Sequence, residues 1–85
     1  MAKRSQEIAD KDAQAFLDMI AERLKQLRAE QGYTSQETFA YEKEINRVQY
    51  SRYERAEEDF RMSTLIKIIK AFDVTIEEFF SEGFE

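Results

Sequence analysis

Residues 45–56 read I-N-R-V-Q-Y-S-R-Y-E-R-A. At the roughly 100° per residue of a helix, Arg47, Val48, Ser51, Arg52 and Arg55 fall on one stripe and Tyr50 and Tyr53 on another. The first stripe is cationic and flexible, and the second can dock on an apolar core. Such a division suits a helix that enters a groove of nucleic acid. An arginine fork can donate to both acceptors of guanine, a valine can pack on a thymine methyl, and a glutamine amide can pair with adenine. A plainer reading competes with this one, since arginines on an amphipathic helix are commonly just a solvated surface. Tyr50 and Tyr53 have faces that can stack on bases, but their i, i+3 spacing favours core packing. The nucleic-acid reading requires guanidinium groups that stand free of the protein.

The elements that would hold this helix follow from spacing and caps. Phe16, Ile20, Leu24 and Leu27 repeat at helical intervals, and Gly32 offers a left-handed stop, so a first helix is expected over residues 12–31. Residues 1–11 are more polar, with Ile8 their only large apolar side chain, and read as an N-terminal arm or a helix extension. Thr34 or Ser35 can cap a second helix with Phe39 and Ala40 inward, Glu37 completing a capping box with Thr34. Asn46 caps the third helix with Gln49 three residues on, and Ile45 with Tyr50 forms a hydrophobic staple. Ser63 is expected to cap a fourth helix carrying Leu65, Ile66, Ile68, Ile69 and Phe72, the centre of the core. Thr75 with Glu78 repeats the capping box, and Val74 with Phe79 the staple, for a short fifth helix toward Ser81. Five helices with brief connections make an all-α chain.

Composition agrees. With 85 residues, 42% hydrophobic and 13% aromatic, the chain holds enough apolar surface for one domain, over residues 12–85. It has no proline, and its two glycines are Gly32 and Gly83. It also lacks cysteine and histidine, which excludes disulfides, thiol and imidazole catalysis and the usual zinc sites. No cofactor or metal is expected. Asp18 and Glu22, one helical turn apart, are a solvated face rather than a catalytic pair, and no catalytic residues are assigned. No run approaches the ~20 apolar residues that span a bilayer, so a cytoplasmic location with no membrane contact is expected. The net charge of −5 argues against a nucleic-acid partner until its distribution is seen. Residues 57–85 carry Arg61, Lys67 and Lys70 against Glu57, Glu58, Asp59, Asp73, Glu77, Glu78, Glu82 and Glu85, which accounts for the whole deficit. Docking responds to the local field, although Glu57, Glu58 and Asp59 lie close in sequence to the arginines.

S-Q-E-T-F-A from Ser35, N-R-V-Q-Y-S-R-Y-E from Asn46 and V-T-I-E-E-F-F from Val74, taken together, resemble the Cro and phage-repressor class of helix-turn-helix regulators over residues 20–80. The resemblance implies a five-helix, lambda-repressor-like domain whose second helix crosses the backbone and whose third enters the major groove. It places Gln36 on a phosphate, Asn46 as cap and backbone contact, Arg47, Val48 and Gln49 on base edges, and Arg52 on a base or phosphate. Ser51 and Arg55 continue the DNA-binding face. It also implies that Glu54 turns inward to pair with Arg28. The chain departs from the family pattern where glycine is usual at Glu44 and Ala56, and where a core leucine is usual at Lys43. Tyr41 is expected to supply the missing apolar contact.

These readings converge on a sequence-specific regulator of double-stranded DNA, most simply a repressor, acting as a homodimer with no enzymatic activity. Phe79, Phe80 and Phe84 form the expected dimer seam. The alternative is an interaction module on the same fold, with weak or no DNA binding. A regulatory protein partner, such as a toxin, fits either setting.

Overall fold

A computed structural model describes residues 2–57 and 61–84, with side chains from Lys11 onward. Ile8, Glu58, Asp59 and Glu85, named above, are outside those described side chains. Five α-helices follow in order among the described residues: α1 (Ala2–Glu30), α2 (Gln36–Glu42), α3 (Arg47–Glu54), α4 (Met62–Ala71) and α5 (Ile76–Phe79).

The first helix starts ten residues earlier than its apolar repeat suggested. Residues 2–11 hold alanine, lysine, arginine, glutamine and glutamate with neither glycine nor proline, so nothing local stops the helix from growing backward. At 29 residues α1 is about 43 Å long, and it sets the long dimension of a molecule measuring 47 × 26 × 21 Å. Its C-terminal half contributes Ile20, Leu24 and Leu27 to the core. Phe16, expected to continue that stripe inward, is instead 48% exposed, its ring against the chain's last aromatics, Phe80 and Phe84.

The core gathers Ile20, Leu24 and Leu27 with Phe39 and Ala40, Tyr50 and Tyr53, Leu65, Ile68, Ile69 and Phe72, and Phe79. Phe39 is its pivot. Its ring stacks on Phe72 at 4.3 Å between centroids and leans on Tyr50 at 5.0 Å. Ile45 and Val74, the residues before two caps, pack against the same cluster.

Three caps form as their sequence signals indicate, and two readings change. The Ser35 hydroxyl accepts from the backbone N–H groups of Glu37 and Thr38, so Ser35 and not Thr34 caps α2. Asn46 Oδ1 accepts from Gln49 N–H, and Thr75 and Glu78 make a reciprocal capping box. Ser63 does not cap α4. The helix opens at Met62 after an extended Arg61, whose carbonyl accepts from Leu65 N–H and whose side chain makes no capping bond. Arg61, Met62 and Ser63 are exposed, so water can satisfy the first N–H groups there.

The helix ends explain how the turn survives without its usual glycines. After α1, Tyr33 N–H donates to Arg28 O and Gly32 N–H to Ala29 O. Ile45 N–H with Glu44 N–H does the same after α2, and Glu57 N–H with Ala56 N–H after α3. All three are Schellman closures, which put the penultimate donor in the left-handed region. Gly32 takes it at φ 83°, but Glu44 and Ala56 take it at 56° and 55° despite carrying a Cβ. The turn therefore keeps its shape and bears the strain. Tyr41 does not fill the place of the missing leucine, being 86% exposed, while Lys43 itself is half-buried.

Left-handed non-glycine residues cost roughly 1 to 2 kcal/mol each, partly offset by the entropy that glycine loses on folding. Glu44→Gly and Ala56→Gly should each raise the unfolding free energy by about 0.5 to 1 kcal/mol in urea titrations. A loss of stability in both would show that neither position is strained.

Candidate nucleic-acid interface

The third helix packs on α1 and α2, and its buried residues are Tyr50, Tyr53 and Glu54. The tyrosine stripe faces the core, as its spacing indicates. On the other side Arg47, Val48, Arg52 and Arg55 are exposed, with Ser51 and Gln49 half-buried at the edges. Val48, an apolar residue with 53% of its surface in solvent, has no packing role to explain it.

One polar network holds this helix in rotation. Glu54 is fully buried at the end of α3, and Arg28 grips it with two parallel bonds, Nε to Oε2 at 2.7 Å and Nη2 to Oε1 at 3.1 Å. A third Arg28 donor closes the loop after α1 by reaching Tyr33 O at 2.9 Å. Gln36, the first residue of α2, donates Nε2 to Glu54 Oε1 at 3.0 Å. One carboxylate thus joins α1, α2 and α3. The Glu54 hydrogen bond raises the Arg28 guanidinium above its ordinary pKa, outweighing the opposite effect of burial. The Tyr50 hydroxyl lies beside the pair but outside hydrogen-bonding geometry. Burial first, and then the Glu54 carboxylate, push that phenol far above its usual range, so it stays neutral.

This network alters the reading of Gln36. Expected to bind phosphate, it is half-buried with one amide hydrogen committed to Glu54. Its position at the mouth of the interface is nonetheless kept, because Gln36, Arg47, Val48, Ser51 and Arg55 line a single open groove between α2 and α3. Asn46, exposed, sits at the N-terminus of α3, and Gln49 and Arg52, half-buried and exposed respectively, are not among the residues that line that groove.

The arginines are not free, contrary to what the sequence reading requires. Arg47 Nη1 lies 3.7 Å from Glu37, Arg55 Nη2 lies 3.4 Å from Glu57, and Arg52 also has an interaction partner. Both measured pairs are surface pairs, the side chains of Arg47 and Glu37 being 63% and 71% exposed and those of Arg55 and Glu57 55% and 52%. Exposed pairs of this kind contribute about 0 to 1 kcal/mol, less than a bidentate contact to a base at roughly 1 to 3 kcal/mol. The guanidinium groups are occupied yet exchangeable. Sequence reasoning placed Glu37 in a capping box and missed it here, where it lines the groove itself. The available signal was its place at the second position of α2, facing the start of α3.

The aromatic end needs a similar revision. Phe79 is fully buried, its ring edge-on to Phe80 at 4.9 Å, so it belongs to the core of its own chain and offers no surface to a second copy. Phe80 and Phe84 are half-buried and pack with the exposed Phe16 into an aromatic rim. Arg23 closes the same end from beneath, donating to the carbonyls of Glu78 and Phe79 and to Glu82. Asp18 and Glu22 accept from Gln14 and Lys25 on the outer face of α1.

The family model described as helix-turn-helix matches residues 24–79, two thirds of the chain. The chain belongs to the Cro- and phage-repressor-type helix-turn-helix family. Members carry a DNA-binding regulatory domain rather than an enzyme, and the match takes in α2, its tight turn and α3 whole. No curated protein and no solved structure matches the chain. Among the described residues no helix of this helix-turn-helix domain is long and apolar enough to cross a membrane.

Removing one partner of a buried ion pair leaves the other desolvated, at a cost of about 3 to 5 kcal/mol. Glu54→Ala should therefore lower the urea midpoint steeply or unfold the domain. A loss below about 1 kcal/mol would mean that Arg28 finds another partner at no expense.

Proposed function

We propose that this helix-turn-helix domain is a transcriptional repressor that binds a short operator as a homodimer and acts by occlusion. Arg47, Val48 and Gln49, at the front of α3, read base edges in the major groove. Gln36 and Asn46, at the N-termini of α2 and α3, contact the sugar-phosphate backbone, and Ser51, Arg52 and Arg55 extend that contact along the helix. The observation that carries this reading is the exposure of Arg47 and Val48 on the face of α3 opposite the buried Tyr50 and Tyr53. A guanidinium beside an unpacked branched methyl pair matches the chemistry of guanine and thymine edges. A homodimer would set two such helices one DNA turn apart, ~34 Å, over a palindrome. Phe16, Phe80 and Phe84 are the surface that supports a seam, the first being nearly half exposed.

The second reading, an interaction module with little affinity for DNA, draws support from the acids paired to Arg47 and Arg55. Selection from a random duplex pool separates the two. The repressor reading expects one enriched sequence whose binding Arg47→Ala weakens by about 5- to 150-fold. Uniform weak recovery of all sequences, unaffected by the substitution, would favour the interaction module. For the seam, light scattering should give twice the chain mass for the wild type and the single-chain mass for Phe80→Asp with helicity retained. A wild type that stays monomeric at high concentration removes the dimer.

A further inference from the structure

Glu37 and Arg47 belong to the walls of two adjoining grooves. One is the interface groove lined by Gln36, Val48, Ser51 and Arg55, and the other lies over Thr38, Tyr41, Glu42 and Ile45. Their ion pair, at 3.7 Å, is the ridge between them. Glu37 has no structural duty that requires a carboxylate there. It is 71% exposed, and α2 is capped by the Ser35 hydroxyl, to which Glu37 contributes its backbone N–H. The acid is thus placed on the guanidinium that heads the recognition helix and is held there by little else.

We propose that Glu37 is an affinity-limiting residue of the DNA interface, an internal competitor for Arg47 that lowers the attraction of the α3 face to any duplex. The inference rests on the DNA-binding reading of α3. A ligand that takes the Nη1 donors of Arg47 displaces Glu37. An exposed ion pair of this kind favours the paired state by at most about fivefold. A phosphodiester offers two oxygens to the guanidinium much as a carboxylate does, so on random sequence phosphate and Glu37 compete for Arg47 on similar terms. A guanine in register offers two acceptors to the fork and is worth about 5- to 150-fold, enough to draw Arg47 across. The pair therefore weakens both contacts, each by at most about fivefold. The carboxylate also repels whatever phosphates approach the groove mouth. For a chain of net charge −5, with Glu57 similarly placed on Arg55, weak general attraction is the combined result.

The test measures affinity of the full chain for a selected duplex and for a scrambled duplex across a salt series. Its four proteins are wild type, Glu37→Gln, Glu77→Gln and the Arg47→Ala/Glu37→Gln double variant. Glu77 is exposed on α5, so its substitution makes the same charge change away from the groove. Glu37→Gln should tighten binding to the scrambled duplex by about two- to fivefold at low salt and steepen its salt slope by up to about 0.9, one added phosphate contact. Binding to the selected duplex should tighten by a similar or larger factor, up to about fivefold, so discrimination does not fall. The gain should vanish in the Arg47→Ala background. The proposal is overturned if Glu37→Gln binds scrambled DNA as the wild type does, if Glu77→Gln gives the same gain, or if the gain persists without Arg47. A wild type that prefers no duplex at all overturns the DNA-binding reading itself, and the proposal with it.

Discussion

A buried carboxylate gripped by a two-pronged guanidinium organises this molecule. Glu54 is the last residue of α3, and the side chains that donate hydrogen bonds to it come from other helices: Arg28 from α1 and Gln36 from the first turn of α2. An α-helix resting on apolar contacts alone can rotate or slide with modest change in buried area. One pinned by charged hydrogen bonds at its end cannot, because a displaced Glu54 would be an unpaired buried charge. The outward aim of Arg47 and Val48, both about two turns back along the same helix, inherits that constraint. The Schellman closures after α1, α2 and α3 act in the same sense, fixing the length of each connection so that the three partners meet.

The surface tells a second story about charge. A basic face is the ordinary footprint of a DNA-binding domain. Here each measured arginine of the recognition helix carries an acid of its own, Glu37 or Glu57. Such pairs lower the potential of the face without removing the donors from it. Affinity then depends less on long-range attraction and more on contacts good enough to replace the partner already present. The domain's acidity is in this sense part of its recognition chemistry.

Residues with a local physical signature were legible from the sequence. The tyrosine spacing gave the buried face of α3, Asn46 and the Thr75–Glu78 box gave two helix starts, and the apolar run from Leu65 to Phe72 gave the core. The departures came where local signals were ambiguous or where the answer lies in three dimensions. Nothing in residues 2–11 marks a helix start, so their spacing leaves an arm and a helix extension equally open, and the structure takes the extension. Arg61 opens α4 without a capping side chain, which no cap pattern can announce. The burial of Phe79 and the exposure of Phe16 depend on how the chain's end folds across α1, and aromatic content alone cannot apportion them. Glu37 and Gln36 illustrate the same limit at the interface. Both lie in the first turn of α2, and only the crossing of α2 and α3 decides that one meets Arg47 and the other Glu54.

The most direct test is to titrate the isotopically labelled protein with its selected duplex and follow backbone amide shifts by NMR. The account predicts the largest shifts from Gln36 through the front of α3, at Asn46, Arg47, Val48 and Gln49, with Tyr53 and Glu54 little changed. Shifts gathered instead around Phe16, Phe80 and Phe84, with the start of α3 undisturbed, would contradict it.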